Sequence, residues 1–371
     1  MQELQYFEEV ASELYNPEIR AWKEAGRRVV GTVCCNMPEE VIHAGGLLPL
    51  RVRAPGLLDT AKADAHLHRI NCSYTRSVLE ALMRGDLSFL DGLITTNTCD
   101  HMLRLAGELE AKAGFPVHYF SMYHTLGSSS RKWFVLEMEK LIGYIQGSLS
   151  AEVREEDLRR SVAVYNRTRR LMAELGELRK KDPPALSGAE HLAIALVGMS
   201  IPREEFNGRL EALLPSLRER ASGASGRPRL MVVGGACDMP EFIEFIEARG
   251  VSVVADALCF GTRHYQGEVD EGAEEILPAI ADHYLGRIAC PAIIDGFDHS
   301  YQILRQMVSD FRVDGVICAR LKFCDHWGGR RKLLAEELRK EKVPVLDLER
   351  EYSTAGSGQI ATRVQAFLEM L

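Results

Sequence analysis

The sequence predicts an α/β protein built as two doubly wound parallel-sheet lobes with an additional helical portion. Three observations predict it. Short apolar runs alternate with helical patterns over residues 1–130, and the same alternation returns over 229–371. Between them the periodicity is purely helical. The expected division is an N-terminal α/β lobe at 1–130, a helical portion at 131–221 and a C-terminal α/β lobe at 229–371. A chain of 371 residues is long enough for two or three such units.

In the first lobe, Val29–Cys34, Leu48–Val52, Leu90–Thr95 and Pro116–Met122 read as buried strands. Pro38–Ala44 and Thr75–Arg84 carry helical spacing between them. From Arg131 to about Arg220, Leu recurs with Arg and Glu at three- and four-residue intervals, broken at Pro183 and Pro184. The run from Ala221 to Pro228 is rich in Gly and Ser and reads as a linker. Beyond it, strands are expected at Leu230–Gly234, Val251–Asp256, Ile288–Ile294, Gly315–Ala319 and Val343–Leu348, each followed by a helix-like segment. Strands alternating with helices imply parallel sheets covered on both faces.

Composition narrows the function. With 45 basic and 53 acidic residues the net charge is −8, which offers no basic excess for nucleic acid or an anionic membrane. Met1–Leu14 lacks the basic and apolar regions of a signal peptide. The apolar stretch Leu192–Met199 is far below the ~20 residues a membrane span needs. A cytoplasmic protein is expected. In that reducing setting the nine cysteines are not a disulfide framework.

No C-x-x-C pair occurs, so any metal site must be assembled from distant cysteines. Three contexts stand out. Cys72 precedes a helix whose N-terminal amides favour a thiolate. Cys99 and Cys324 each follow a strand, and each opens a Cys-Asp-His tripeptide, in opposite lobes. In open parallel sheets, ligands bind at the carboxyl ends of strands. A shared metal or cluster site and unrelated packing cysteines both remain open on spacing alone. Other motifs are weaker. Gly356-Ser-Gly358-Gln-Ile-Ala361 has the form of a dinucleotide loop, but only ten residues follow it, and a glycine turn before the last helix is preferred. His66 and His68 have no third ligand near them in sequence, and neither a P-loop nor a G-x-S-x-G elbow is present.

Blocks spread along the chain resemble the 2-hydroxyacyl-CoA dehydratase and benzoyl-CoA reductase subunit family. They are Gly31–Arg51, Cys72–Ser77, Asp91–Leu93 with Cys99–His101, Asp314–Val316, Leu321–Gly328, and Leu348–Tyr352 through Gly358 to Glu369. The resemblance implies a [4Fe–4S] cluster between the two lobes, on positions matching Cys72, Cys99 and Cys324. Three thiolates leave one iron open. It also implies a homologous second subunit, or a second copy of the chain, and a separate ATP-dependent iron–sulfur activator that supplies one low-potential electron.

The implied substrate is an acyl-CoA thioester. Either a 2-hydroxyacyl-CoA loses its C2 hydroxyl and a C3 proton by a radical route, or an aryl-CoA is reduced. Cys34, Cys35 and Glu39 are expected near the substrate, with Glu40 or His43 as general acid/base. The same Pro38-Glu39-Glu40 is also simply a good helix start. Cys237, Cys259, Cys290 and Cys318 are expected to be packing residues. The Cys34-Cys35 doublet departs from the usual single cysteine. It admits an alternative, a double-cubane cluster with additional cysteine ligands that reduces small molecules. A non-catalytic, cluster-bearing electron-transfer subunit is the reading from another class.

Overall fold

The computed structural model describes residues 2–220, 223–352 and 358–371. It contains two four-stranded, all-parallel sheets. The first is formed by β1 (Val29–Thr32), β2 (Leu48–Arg51), β3 (Gly92–Thr96) and β4 (Val117–Phe120), in the order β2-β1-β3-β4. The second is formed by β5 (Arg229–Gly234), β6 (Ser252–Ala257), β7 (Gly315–Leu321) and β8 (Val345–Arg350), in the order β6-β5-β7-β8. The two lobes therefore share one topology, with β3 and β7 as equivalent strands. In each, the chain reverses direction across the sheet between the first and third strand, and there the loops part to leave a crevice.

β1, β2, β3, β5 and β6 are buried along their whole length, which is why they read as unbroken apolar runs rather than alternating ones. β5 and β7 approach closely: a Cβ on Gly234 would lie 2.2 Å from the carbonyl oxygen of Ala319, so only glycine fits.

Four helices fill the middle of the chain, at Ser128–Ser148, Glu155–Leu178, Gly188–Gly198 and Arg203–Arg218, with the break at 183–184 lying between the second and third. They pack against both lobes. The helix Glu155–Leu178 lies on Glu39–Ala44, and Gly188–Gly198 lies on β6 and on the helix Pro240–Glu247. Gly188–Gly198 is buried from His191 onward, where its sequence is almost wholly apolar, while Glu190 in its first turn pairs with Arg220. No described helix is long and apolar enough to cross a membrane.

One expected strand is absent. Ile288–Ile294 forms a loop, because Pro291 cannot donate to a sheet and Ile294 is 78% exposed. That loop carries Cys290, and its Ile294 amide donates to the His124 carbonyl at 2.8 Å, tying it to the first lobe. Of the linker, Ala221 and Ser222 lie outside the described residues, as does Gly356 of the glycine motif.

Candidate functional site

Cys72, Cys99 and Cys324 occupy the same local position, each being the residue that caps the N-terminus of a helix. The helices are Ser73–Arg84, Asp100–Lys112 and Asp325–Lys340. Cys99 follows β3 and Cys324 follows β7, so the two Cys-Asp-His tripeptides stand at equivalent strand ends of the two lobes. The tertiary structure brings them together. Cys99 is under the electrostatic influence of both Cys72 and Cys324, and Cys324 under that of Cys72. The Cys72 amide is 3.2 Å from His101 Nδ1, so the first tripeptide also holds the Cys72 turn.

Helix N-termini favour thiolates, but here burial wins. Burial pushes Cys99 up to about 12, against the Met102 amide, which donates to its Sγ at 3.4 Å. Cys324 is likewise pushed up to about 12 by burial, against the Trp327 amide. Burial also raises Cys72, despite its contacts with Thr75. Without a compensating positive charge, all three stay protonated thiols. Among the described residues, no three His, Cys, Asp or Glu side chains gather closely enough to hold a single metal ion.

Tyr352 ties the lobes together beside Cys72. Its hydroxyl donates to Asp238 at 2.6 Å and accepts from the Ala54 amide at 3.1 Å. Its own amide donates to Ser73 Oγ at 2.7 Å.

Cys34 and Cys35 follow β1, and they meet two cysteines from the second lobe. Cys259 follows β6, and Cys290 comes from the loop after the helix Ile276–Gly286. Cys259, Cys34, Arg263 and Arg51 around it hold Cys35 well below the ordinary thiol range, and its Sγ lies 3.8 Å from Asn36 Oδ1. Cys34 and Cys259 are pushed up by their neighbour Cys35, with burial acting in the same direction. Cys290 acts electrostatically on Arg263, Cys34, Cys99 and Cys324, linking the two cysteine groups. Cys237 and Cys318 are buried, the first after β5 and the second within β7.

The helix Glu39–Ala44 follows Cys35, but its acids are tied down. Glu40 pairs with Arg169 and accepts from the Tyr284 hydroxyl at 2.9 Å, all of them buried. Glu39 pairs with Arg203 and lies 3.5 Å from His264. Burial alone would raise Glu39, but His264, Arg203 and Arg51 outweigh it and hold the carboxyl at about 2. His43 points elsewhere. It bonds Ser161 Oγ at 2.9 Å and Glu204 at 3.2 Å, and lines an outer cavity of about 820 Å³ together with Trp22, Arg27 and Arg160.

The 2-hydroxyglutaryl-CoA dehydratase D-component family model matches residues 34–371. The chain belongs to that family. Among proteins similar to it is the dehydratase-like YjiM of Escherichia coli (strain K12), 29% identical over 94% of this chain and 93% of that protein. A benzoyl-CoA reductase subunit of Thauera aromatica is 26% identical over 88% and 87%. The lactoyl-CoA dehydratase beta subunit of Anaerotignum propionicum is 22% identical over 94% and 93%.

Every cysteine of this D-component family member lies inside the matched segment. Sequence reasoning singled out Cys72, Cys99 and Cys324, and missed the company of Cys259 and Cys290. Expected to be packing residues, these two lie within electrostatic reach of Cys35 and Arg263. A signal existed for Cys259, which sits just beyond an apolar run, at a strand's carboxyl end. For Cys290 there was none, since its segment read as a strand.

Proposed function

We propose that the chain is the iron–sulfur subunit of an acyl-CoA-processing enzyme. The reaction is radical dehydration of a 2-hydroxyacyl-CoA or reduction of an aryl-CoA, driven by a one-electron, ATP-dependent activator. The observation that carries the reading is the meeting of Cys99 and Cys324, from equivalent strand ends of two lobes, with Cys72, in a member of this family. The donor set fits a [4Fe–4S] cluster. It is all sulfur, it draws on both lobes, and its buried thiols need positive charge to ionise. Cys72, Cys99 and Cys324 would hold the cluster, and bound there it supplies a low-potential electron and one open iron.

The chain's own residues do the rest. Tyr352 and His101 fix the Cys72 turn, and the helix Glu39–Ala44 borders the Cys34-Cys35 end of the crevice. Glu40, on the helix beside the crevice, is the acid–base candidate, and Cys34, Cys35 and Glu39 are the residues nearest the substrate; His43, the other candidate from the sequence, opens on the outer cavity instead. Turnover lost in Glu40→Gln with iron retained supports that assignment, and unchanged turnover removes it. Partners in this reading are a homologous subunit or a second copy, the activator and the acyl-CoA, in the cytoplasm.

A second reading is favoured by the convergence of Cys34, Cys35, Cys259 and Cys290 next to the first group. It is a double-cubane cluster with these as additional ligands. Iron and sulfide analysis of anoxically purified protein tests both. Roughly four iron and four sulfide per chain support the first reading, and about eight iron the second. A colourless protein holding one zinc overturns both.

A further inference from the structure

Buried guanidinium groups of this chain either pair with an acid, as Arg169 does with Glu40, Arg179 with Asp256 and Arg203 with Glu39, or bond backbone carbonyls, as Arg229, Arg287 and Arg350 do. Among the described residues, Arg51 and Arg263 do neither. Each is 3% exposed, and neither forms an ion pair with a carboxylate among the described residues. Nε and Nη1 of Arg51 and Nε of Arg263 have no hydrogen-bond acceptor. A buried charge left without a partner is strongly unfavourable, so such a pair points to an anion that compensates it.

The surroundings say where that anion belongs. Arg51 ends β2 in the first lobe and lies over the Phe260 ring at 4.7 Å. Arg263 stands in the short helix Thr262–Tyr265 of the second lobe, four residues after Cys259. Arg51 stands in register with Thr32, two residues before Cys34, and Phe260 beneath its guanidinium directly follows Cys259; Cys35, the thiol held low here, acts on both arginines. The acid that reaches toward Arg51, Glu39, is already paired with Arg203. Two fixed positive charges, one from each lobe, thus face a sulfur group that is also assembled from both lobes.

We propose that Arg51 and Arg263 are the fixed counter-charges of a thiolate-ligated iron–sulfur group between the lobes, and that they raise its reduction potential. Taking up an electron adds negative charge, and a guanidinium that cannot titrate stabilises the reduced form in a low-dielectric setting. The two arginines are positioning residues: they act on the electron through the sulfur group. This rests on the cluster reading above, and it concerns residues which that reading leaves without a role.

The test is the midpoint potential of the anoxically reconstituted full chain, followed by absorbance and electron paramagnetic resonance. Arg51→Met and Arg263→Met should each keep iron and shift the potential downward, at least tenfold in the one-electron reduction equilibrium, or about 59 mV. Arg51→Lys and Arg263→Lys, which keep the charge, should recover most of the shift. Iron at the wild-type level with an unchanged potential in both Met variants overturns the proposal while leaving the cluster reading intact. Met and Lys variants that lose iron alike also overturn it, because shape rather than charge would then be what the site needs. Wild-type protein that takes up no iron overturns the functional reading, and this one with it.

Discussion

Removing the charge of Glu39 should destabilise the fold far more than its position in a six-residue helix suggests. Glu39 is 2% exposed and its partner Arg203 3%. Glu39→Gln keeps the shape but leaves a buried guanidinium without its carboxylate, and breaking such a pair from one side costs ~3–5 kcal/mol. A second route gives a similar size. The carboxyl is held at about 2 against an ordinary 4.5, a difference worth roughly 3 kcal/mol at ~1.4 kcal/mol per pH unit.

The sign follows from the direction. A carboxyl depressed in the native state contributes stability that is complete above the unfolded value of about 4.5 and is lost as pH falls toward 2. Equilibrium urea unfolding of iron-free protein at pH 7 should therefore show Glu39→Gln less stable by ~3 kcal/mol or more, with the gap closing as pH falls below 4.5. Glu39→Gln combined with Arg203→Met should recover part of the loss, since no unpaired charge is left. A single variant within ~0.5 kcal/mol of the wild type, with the same acid limb, would refute the reasoning.

Three further outcomes are expected. Cys72→Ala, Cys99→Ala and Cys324→Ala should each lose iron on anoxic purification, whereas Cys237→Ala should keep it at a packing cost of ~1–2 kcal/mol by denaturant midpoint. Tyr352→Phe should cost ~1–3 kcal/mol in the same assay, because Asp238 and the Ala54 amide lose their shared hydroxyl in a buried place. Gly234→Ala should cost ~1–3 kcal/mol or more, since its Cβ would meet the Ala319 carbonyl of the neighbouring strand; unchanged stability would mean that β5 and β7 separate easily.

The sequence by itself determined the elements and much of the candidate site. Fully buried parallel strands leave unbroken apolar runs, so β1, β2, β5 and β7 were legible to within two residues at either end. The alternation of strand and helix gave the two lobes. The duplicated Cys-Asp-His marked equivalent strand ends, because a residue that caps a helix after a strand keeps a local signature. Where local pattern misled, at Ile288–Ile294, a proline and an exposed isoleucine stood inside an apolar run.

Only the tertiary structure decided the electrostatics. Glu39 and Glu40 look like free acids at a helix start, yet Arg203 and Arg169, more than a hundred residues away, neutralise them. Cys35 meets Cys259 only because the carboxyl end of β6 is brought against that of β1. Arg51 and Arg263 read as ordinary arginines until burial removes their water and the fold supplies no carboxylate. Periodicity is a property of neighbours along the chain and survives in one dimension. The pairing of a buried charge depends on which distant side chains the packed lobes bring within a few ångströms, and no local pattern records that.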